Sequence, residues 1–317
     1  MGDRSEAGSS TSATRPSPGS PRSARGSARS ASPGEAGPGL GRSALRDLAR
    51  RHGIRPTKTL GQHFIADPNL ARAIVGDAGV GPGDRVLEIG AGFGSITLAL
   101  AEAGCEVLAI EFDRQIVPGL REVVAPYPLV RVEQSDAMRA DWDGLLGESP
   151  WTMVSNLPYN ISVPLMVELL ERVPRIGLFV VMVQREVGER FVARAGEEAY
   201  GTVSVRVAYR ARAELLRRVP AEVFWPRPNV DSVLVRFTPH PPPVPVDAEA
   251  LFRVVDEGFA ERRKTMSNAI RRLGLALPDA TRILRASGVD PATRAEQLGL
   301  EAFAGITEAL LADGWRP

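Results

Sequence analysis

Between residues 86 and 183, five short apolar runs alternate with longer stretches of mixed character, and this alternation leaves few architectures open. Val86-Leu87-Glu88-Ile89, Glu106-Val107-Leu108-Ala109-Ile110, Val130-Arg131-Val132, Trp151-Thr152-Met153-Val154 and Leu178-Phe179-Val180-Val181-Met182-Val183 read as buried strands. Helices are predicted from Ser95 to Ala103, from Arg114 to Val124 despite Pro118, and from Val163 to Glu171. Strands alternating with helices imply a parallel α/β sheet with helices on both faces. Residues 211–219 and 231–237 read as two later strands, joined by Phe224-Trp225-Pro226-Arg227-Pro228 and expected to close the sheet as a hairpin. The proline-rich segment from Pro239 to Pro245 marks a domain boundary, and 248–315 reads as helix only. The expected architecture is a doubly wound, Rossmann-like sheet domain over 43–240 and a small all-helical C-terminal domain over 246–317.

Residues 1–42 differ from all that follows. They are Ser, Gly, Ala, Pro and Arg with almost no large apolar side chain, so they are expected to be disordered. They hold six Arg against Asp3, Glu6 and Glu35, a net of +3; the whole chain is +1, which leaves the remainder at −2. If that remainder binds nucleic acid, its charge must be clustered rather than abundant. The Arg/Ser-rich tail suits a disordered extension, or alternatively an organellar presequence, and lacks the apolar core of a secretory signal. Cys105 is the only cysteine, which rules out an internal disulfide and suggests a reducing compartment such as the cytoplasm. No apolar run approaches a membrane span, and His52, His63 and His240 show no metal-ligand spacing, so neither membrane nor metal is expected.

A glycine-rich turn, Gly90-Ala91-Gly92-Phe93-Gly94, follows the first strand of the sheet, where backbone can approach a nucleotide-like ligand closely. The dinucleotide fingerprint is Gly-x-Gly-x-x-Gly, and here the third glycine falls one position early. Glu88 within the strand end gives Glu-x-Gly-x-Gly-x-Gly, which suits S-adenosylmethionine (SAM), a cofactor without phosphate. Glu111 ends the second strand, where a carboxylate can accept from both ribose hydroxyls. Asp136 follows the third strand and can accept from the adenine amino group. Each alone is an ordinary loop carboxylate; three at successive strand ends favour a SAM site over NAD.

The fourth strand runs into Asn156-Leu157-Pro158-Tyr159-Asn160-Ile161-Ser162. An amide oxygen at Asn156 and the backbone carbonyl of Leu157 can grip an exocyclic amino group, Pro158 fixes the turn, and Tyr159 offers a face for stacking. The plainer reading is a strand-to-helix turn with proline as breaker and tyrosine in the core.

With Leu60-Gly61-Gln62-His63-Phe64, the glycine-rich turn, Glu111, Asp136 and the Asn156 motif in hand, the chain resembles the 16S ribosomal RNA adenine N6,N6-dimethyltransferase family (KsgA/RsmA). Gln184-Arg185-Glu186-Val187, Tyr200-Gly201, Phe224-x-Pro226-x-Pro228-x-Val230-Asp231-Ser232 and Arg262-Arg263-Lys264-Thr265-Met266-Ser267-Asn268 carry the same resemblance, which runs from about Arg55 to Leu310. It implies a class I SAM-dependent methyltransferase with SAM contacts at His63, Ile65, Gly90, Gly92, Glu111, Asp136 and Asn156. It also implies an RNA substrate: two adjacent adenosines in a hairpin loop near the 3′ end of 16S rRNA, within the small ribosomal subunit. The family usually carries Asn where this chain has His63.

On that basis Asn156, Leu157, Pro158 and Tyr159 are the catalytic candidates. Tyr159 and Phe224 are candidates for covering the two faces of the base, with packing beside the proline loop equally open for Phe224. Arg262, Arg263 and Lys264 are the phosphate contacts, with Arg271 and Arg272 on the same helical segment. Arg206, Arg210, Arg212, Arg217 and Arg218 form a second basic set that is either RNA-facing or a solvated face. A monomer is expected. The rival readings are a macrolide-resistance (Erm) methyltransferase of 23S rRNA, a non-catalytic ribosome-assembly factor, a mitochondrial relative doubling as a transcription factor, and an NAD-dependent oxidoreductase. The Asn-Ile-Ser continuation and the Arg-Arg-Lys-Thr run favour the 16S enzyme.

Overall fold

The computed structural model describes residues 39–56, 62–261 and 263–317. The expected disorder of 1–42 lies outside the described residues up to 38, and a helix begins at Arg42. In chain order the elements are α1 (Arg42–Arg51), β1 (Phe64–Ile65), α2 (Pro68–Ala78), β2 (Arg85–Ile89), α3 (Ser95–Glu102), β3 (Glu106–Glu111), α4 (Val117–Val124) and β4 (Val130–Gln134). There follow α5 (Trp142–Leu146), β5 (Trp151–Asn156), α6 (Ser162–Arg172), β6 (Ile176–Gln184), α7 (Arg185–Val192), α8 (Thr202–Arg210), β7 (Ala211–Val219), β8 (Phe224–Trp225) and β9 (Ser232–Pro239). The chain ends in helices only: α9 (Ala248–Ala260), α10 (Met266–Arg271), α11 (Leu277–Ala286) and α12 (Leu300–Ala312).

Seven strands form one sheet in the order β4-β3-β2-β5-β6-β9-β7. Strands β2 to β6 are mutually parallel, β9 runs antiparallel to β6, and β7 closes the edge antiparallel to β9. The expected α/β architecture and the late antiparallel pair are both present. Strand β6 explains why its sequence is apolar without alternation. Phe179, Val181 and Val183 pack on one face with Leu165 and Phe191, while Val180 and Met182 pack on the other with Ile74 and Leu100. A strand buried on both sides has no polar face to display.

Two local features depart from expectation. Helix α4 begins at Val117 rather than Arg114, because Pro118 lacks an N–H and is tolerated only in a first turn. The segment joining β7 to β9 is also more than a loop. It carries β8, which pairs antiparallel with β1 through Phe64 opposite Trp225 and Ile65 opposite Phe224. This small ladder draws the chain before α2 over the C-terminal ends of the sheet strands. Asp67 then caps α2 by accepting from the Asn69 and Leu70 amides, with Pro68 at the first helical position.

Helices α9 to α12 pack around Leu251, Phe252, Met266, Ile283 and Phe303, and this core includes Val205 and Tyr209 of α8. Tyr209 meets Phe252 edge-on at 5.2 Å. Among the described residues, no helix is long and apolar enough to cross a membrane.

Candidate cofactor cavity and methyl-transfer site

Strands β2 and β5 pair only at Val86–Thr152 and Leu87–Met153. Beyond them the ladder gives way to a side chain: the buried Ser155 Oγ accepts the Ile89 N–H at 2.9 Å. At this divergence the strand order also reverses, with β3 and β4 on one side of β2 and β5 and β6 on the other. Ligands bind open parallel sheets at such a switch point. A cavity of about 300 Å³ lies there, lined by both sequence-marked turns.

The glycines bring backbone to the cavity wall. Gly90 and Gly92 have φ of +74° and +58°. A Cβ on Gly92 would lie 2.8 Å from the Phe64 ring, and one on Gly90 would lie 3.0 Å from Pro158 Cδ. The glycine turn therefore touches both the β1 segment and the Asn-Leu-Pro-Tyr turn. Ile65 is buried beside them, and its carbonyl accepts from Ser95 Oγ at 2.7 Å.

Three carboxylates stand at successive strand ends. Glu111, 8% exposed, accepts the Gly92 and Asp113 amides at 2.8 and 2.9 Å. Burial pushes its carboxyl above the usual range, and those backbone bonds partly offset the effect. Asp136 accepts the Met138 amide at 3.0 Å and lies 3.9 Å from Arg139 Nε. Glu88 is 2% exposed and accepts from Thr97 Oγ1 at 2.5 Å. Burial pushes the Glu88 carboxyl up to about 8, opposed by the Thr97 bond and helped by the charge on Glu111.

Asn156, at the end of β5, is the most telling residue. Its Nδ2 donates to the His63 carbonyl at 3.0 Å, whereas its Oδ1 is buried with no hydrogen-bond partner. The His63 carbonyl accepts only, so it fixes which way the amide points; a flipped amide would set oxygen against oxygen. Leu157 is buried, and its N–H donates to the Met182 carbonyl at 3.0 Å, tying the turn to β6. His63 donates from Nδ1 to the Pro226 carbonyl at 2.8 Å, and its ring stacks on Tyr159 with centroids 5.4 Å apart. The Tyr159 hydroxyl pairs with Ser232 Oγ at 2.9 Å, joining the turn to β9. Burial raises the Tyr159 phenol, and the Ser232 bond lowers it. His63, Ile65, Gly90, Gly92, Glu111, Asp136, Asn156 and Pro158 thus share one cavity wall, while Leu157 and Tyr159 are held beside it.

Other expected contacts are placed elsewhere. Phe224 is 0% exposed and packs in the core with Ile74, Leu100 and Val180, so it offers no face to a base; the alternative of packing beside the proline loop is the one observed. Arg206 lies 4.4 Å over the Phe252 ring, between Glu171 and Asp256 at 3.6 and 3.0 Å, which ties α8 to α9 rather than to RNA. Arg217 grips Asp77 of α2 at 2.6 Å, and Arg210 lies 4.8 Å over the Tyr209 ring. Arg272 is held by Glu257 and Glu261 at 2.8 and 3.3 Å. Arg212, Arg218, Arg263, Lys264 and Arg271 are exposed, and Arg262 lies outside the described residues. Sequence reasoning missed Phe112 and Asp113, which also line the cavity. Phe112 is 58% exposed directly after Glu111, and an apolar side chain placed next to a strand-end carboxylate was the available signal.

Residues 54–311 match the family described as "Ribosomal RNA adenine dimethylase". A protein of Kineococcus radiotolerans named "Ribosomal RNA small subunit methyltransferase A" is 45% identical over 267 residues, covering 83% of this chain and 88% of that protein. Its namesake in Cutibacterium acnes is 42% identical over 286 residues, covering 87% and 95%. Among solved structures, a dimethyladenosine transferase from Plasmodium falciparum aligns with a TM-score of 0.67 at 22% identity, covering 80% of this chain and 99% of that one. The 23S rRNA methyltransferase ErmE aligns at 0.60 and 22%, covering 78% and 99%. At such identity these two structures speak to the fold alone, which is that of the SAM-dependent methyltransferases. The family match spans most of the chain, and by it the chain belongs to the ribosomal RNA adenine dimethylases.

Proposed function

We propose that this protein dimethylates the N6 amino groups of two adjacent adenosines in a hairpin loop near the 3′ end of 16S rRNA, within the small ribosomal subunit and with SAM as methyl donor. The observation that carries the reading is the Asn156 amide, pinned at its nitrogen by the His63 carbonyl and left with a buried, unpaired oxygen. Leaving such an acceptor without a donor costs about 1–3 kcal/mol, which an incoming amino group would recover.

The residues fit the cofactor. Gly90 and Gly92 admit it closely, Glu111 suits ribose hydroxyls, Asp136 suits the adenine amino group, and His63 and Ile65 flank the methionine end. SAM, when bound, supplies an electrophilic methyl carbon. An adenine N6 lone pair is delocalised into the ring and attacks poorly. Asn156 Oδ1 and the Leu157 carbonyl, by accepting its two N–H groups, favour the tetrahedral geometry that frees the pair. Pro158 fixes the two acceptors, and Tyr159 stacks on a base drawn out of its helix, a contact worth about 1–3 kcal/mol. No strong base is needed, because the N-methylated cation is acidic. Arg263 and Lys264, exposed at the turn between α9 and α10, suit rRNA phosphates. The protein would act as a monomer in the cytoplasm. The small-subunit relatives support 16S over 23S rRNA as substrate.

The test is incubation with labelled SAM and undermethylated small subunits, followed by nucleoside analysis. Dimethyladenosine in 16S rRNA is expected; label confined to large-subunit rRNA would overturn the choice of substrate.

A further inference from the structure

Glu88 is a buried carboxyl that the proposed mechanism does not use. Among the described residues it is paired with no counter-charge. It lines the cavity at the end of β2, where its carboxyl accepts from the neutral Thr97 hydroxyl of α3. The titratable groups that line the cavity with it are Glu111 and Asp113 at the end of β3, Asp136 after β4 and His63 before β1. No Lys or Arg lines it among the described residues, and no cation pairs with Glu88 or Glu111 there. A pair of buried carboxyls facing one cavity without a cation is costly when ionised, and the cost falls when a ligand brings positive charge.

We infer that Glu88 is the residue by which this site distinguishes the sulfonium cofactor from its neutral thioether product, giving up a proton when positive charge enters the cavity and regaining one when that charge leaves. The inference rests on the SAM reading above. The two ligands share the α-amino and carboxylate groups and differ by the sulfonium charge. Methyl transfer breaks the S–CH3 bond and forms the N6–CH3 bond. The positive charge moves to N6 and departs as a proton, so the cavity beside Glu88 ends one charge lower. The sign follows from linkage. In the free protein burial holds the Glu88 carboxyl near about 8, so at neutral pH it is mostly protonated. A nearby cation lowers that value, and affinity for the cation then rises with pH until the free carboxyl is itself ionised. Asp113, Asp136 and His63 face either ligand alike, so their influence largely cancels in the ratio of the two affinities.

Isothermal titration of the full chain with SAM and with S-adenosylhomocysteine, at pH 6 to 9 in buffers of different ionisation enthalpy, counts the protons exchanged. Near pH 7 SAM should release up to about one proton more than the product does, and the SAM-to-product affinity ratio should rise up to about tenfold per pH unit before levelling above pH 8. Glu88→Gln keeps a hydrogen-bonding side chain and should erase both differences. Thr97→Val removes the bond that favours the ionised form, and should move the levelling point to higher pH. Equal proton counts for the two ligands, or a difference that persists in Glu88→Gln, would overturn the inference while leaving the cofactor reading intact. Failure of SAM to bind at any pH would overturn both.

Discussion

Glu88 and Glu111 lie in the cavity wall with no cationic partner among the described residues, whereas Arg206, Arg217 and Arg272 each hold one or two carboxylates. The two regions apply opposite rules to charge. Away from the cavity the fold neutralises its own charges, and they serve to fasten α8 to α9, β7 to α2 and α10 to α9. At the cavity it leaves two buried carboxyls without a counter-cation among the described residues, and the Asn156 oxygen without a donor. Groups left unsatisfied in a buried wall are what a ligand can recover, and groups already paired are not.

The sharpest way to break this contrast is Asn156→Ala. Deleting the open acceptor should lower single-turnover methylation by about 10²–10³-fold, the range seen when one preorganised polar group is removed from an active site. The urea midpoint should fall only modestly, since the wall loses an unsatisfied oxygen while the His63 carbonyl loses its donor. Activity within tenfold of the parent would show that the oxygen is not the grip. A smaller effect is expected at Gly92. Its φ of +58° and the 2.8 Å approach of the Phe64 ring make Gly92→Ala cost about 1–3 kcal/mol in urea denaturation and weaken SAM binding. Gly53, at φ +66° with nothing within 4 Å, is the control. There the backbone penalty alone applies, and SAM affinity should not change.

Arg206→Ala probes the other side of the comparison. The side chain is largely covered, sits over Phe252 and bridges Glu171 to Asp256, so its loss should destabilise the protein by about 0.5–3 kcal/mol. The salt dependence of binding to small-subunit particles should be unaffected. A flattened salt slope at unchanged stability would return Arg206 to the RNA surface.

How far these two regions can be read from sequence follows the same division. The strand–helix alternation, the glycine turn and the Asn156 turn are local, and each residue's place follows from its neighbours along the chain. So Glu111, Asp136 and Asn156 fall on one wall as their strand-end positions imply. Phe224 and the arginines depend on partners far away. Phe224 is buried because β8 pairs with β1, about 160 residues earlier, and two-residue strands carry no periodicity to detect. Arg206 and Arg217 read as a basic stripe until tertiary packing brings Asp256 and Asp77 against them. The start of α4 was within reach, since Pro118 names its own position in a helix.

Arg263 and Lys264 give the smallest effect and the finest test. They are exposed at the turn after α9, and among the described residues no carboxylate pairs with either side chain, so they follow neither the neutralised pattern nor the buried one. Exposed charges without partners contribute little to folding, so replacing both with Ala should leave stability within about 0.5 kcal/mol. If each contacts one phosphate, each should contribute about 0.7–0.9 to the slope of log affinity against log salt. The double variant should then lose roughly twice that on small-subunit particles, with methylation at saturating particle concentration preserved. An unchanged slope would place these cations away from rRNA, and the exposed Arg212 and Arg218 of β7 would become the next residues to test by the same measurement.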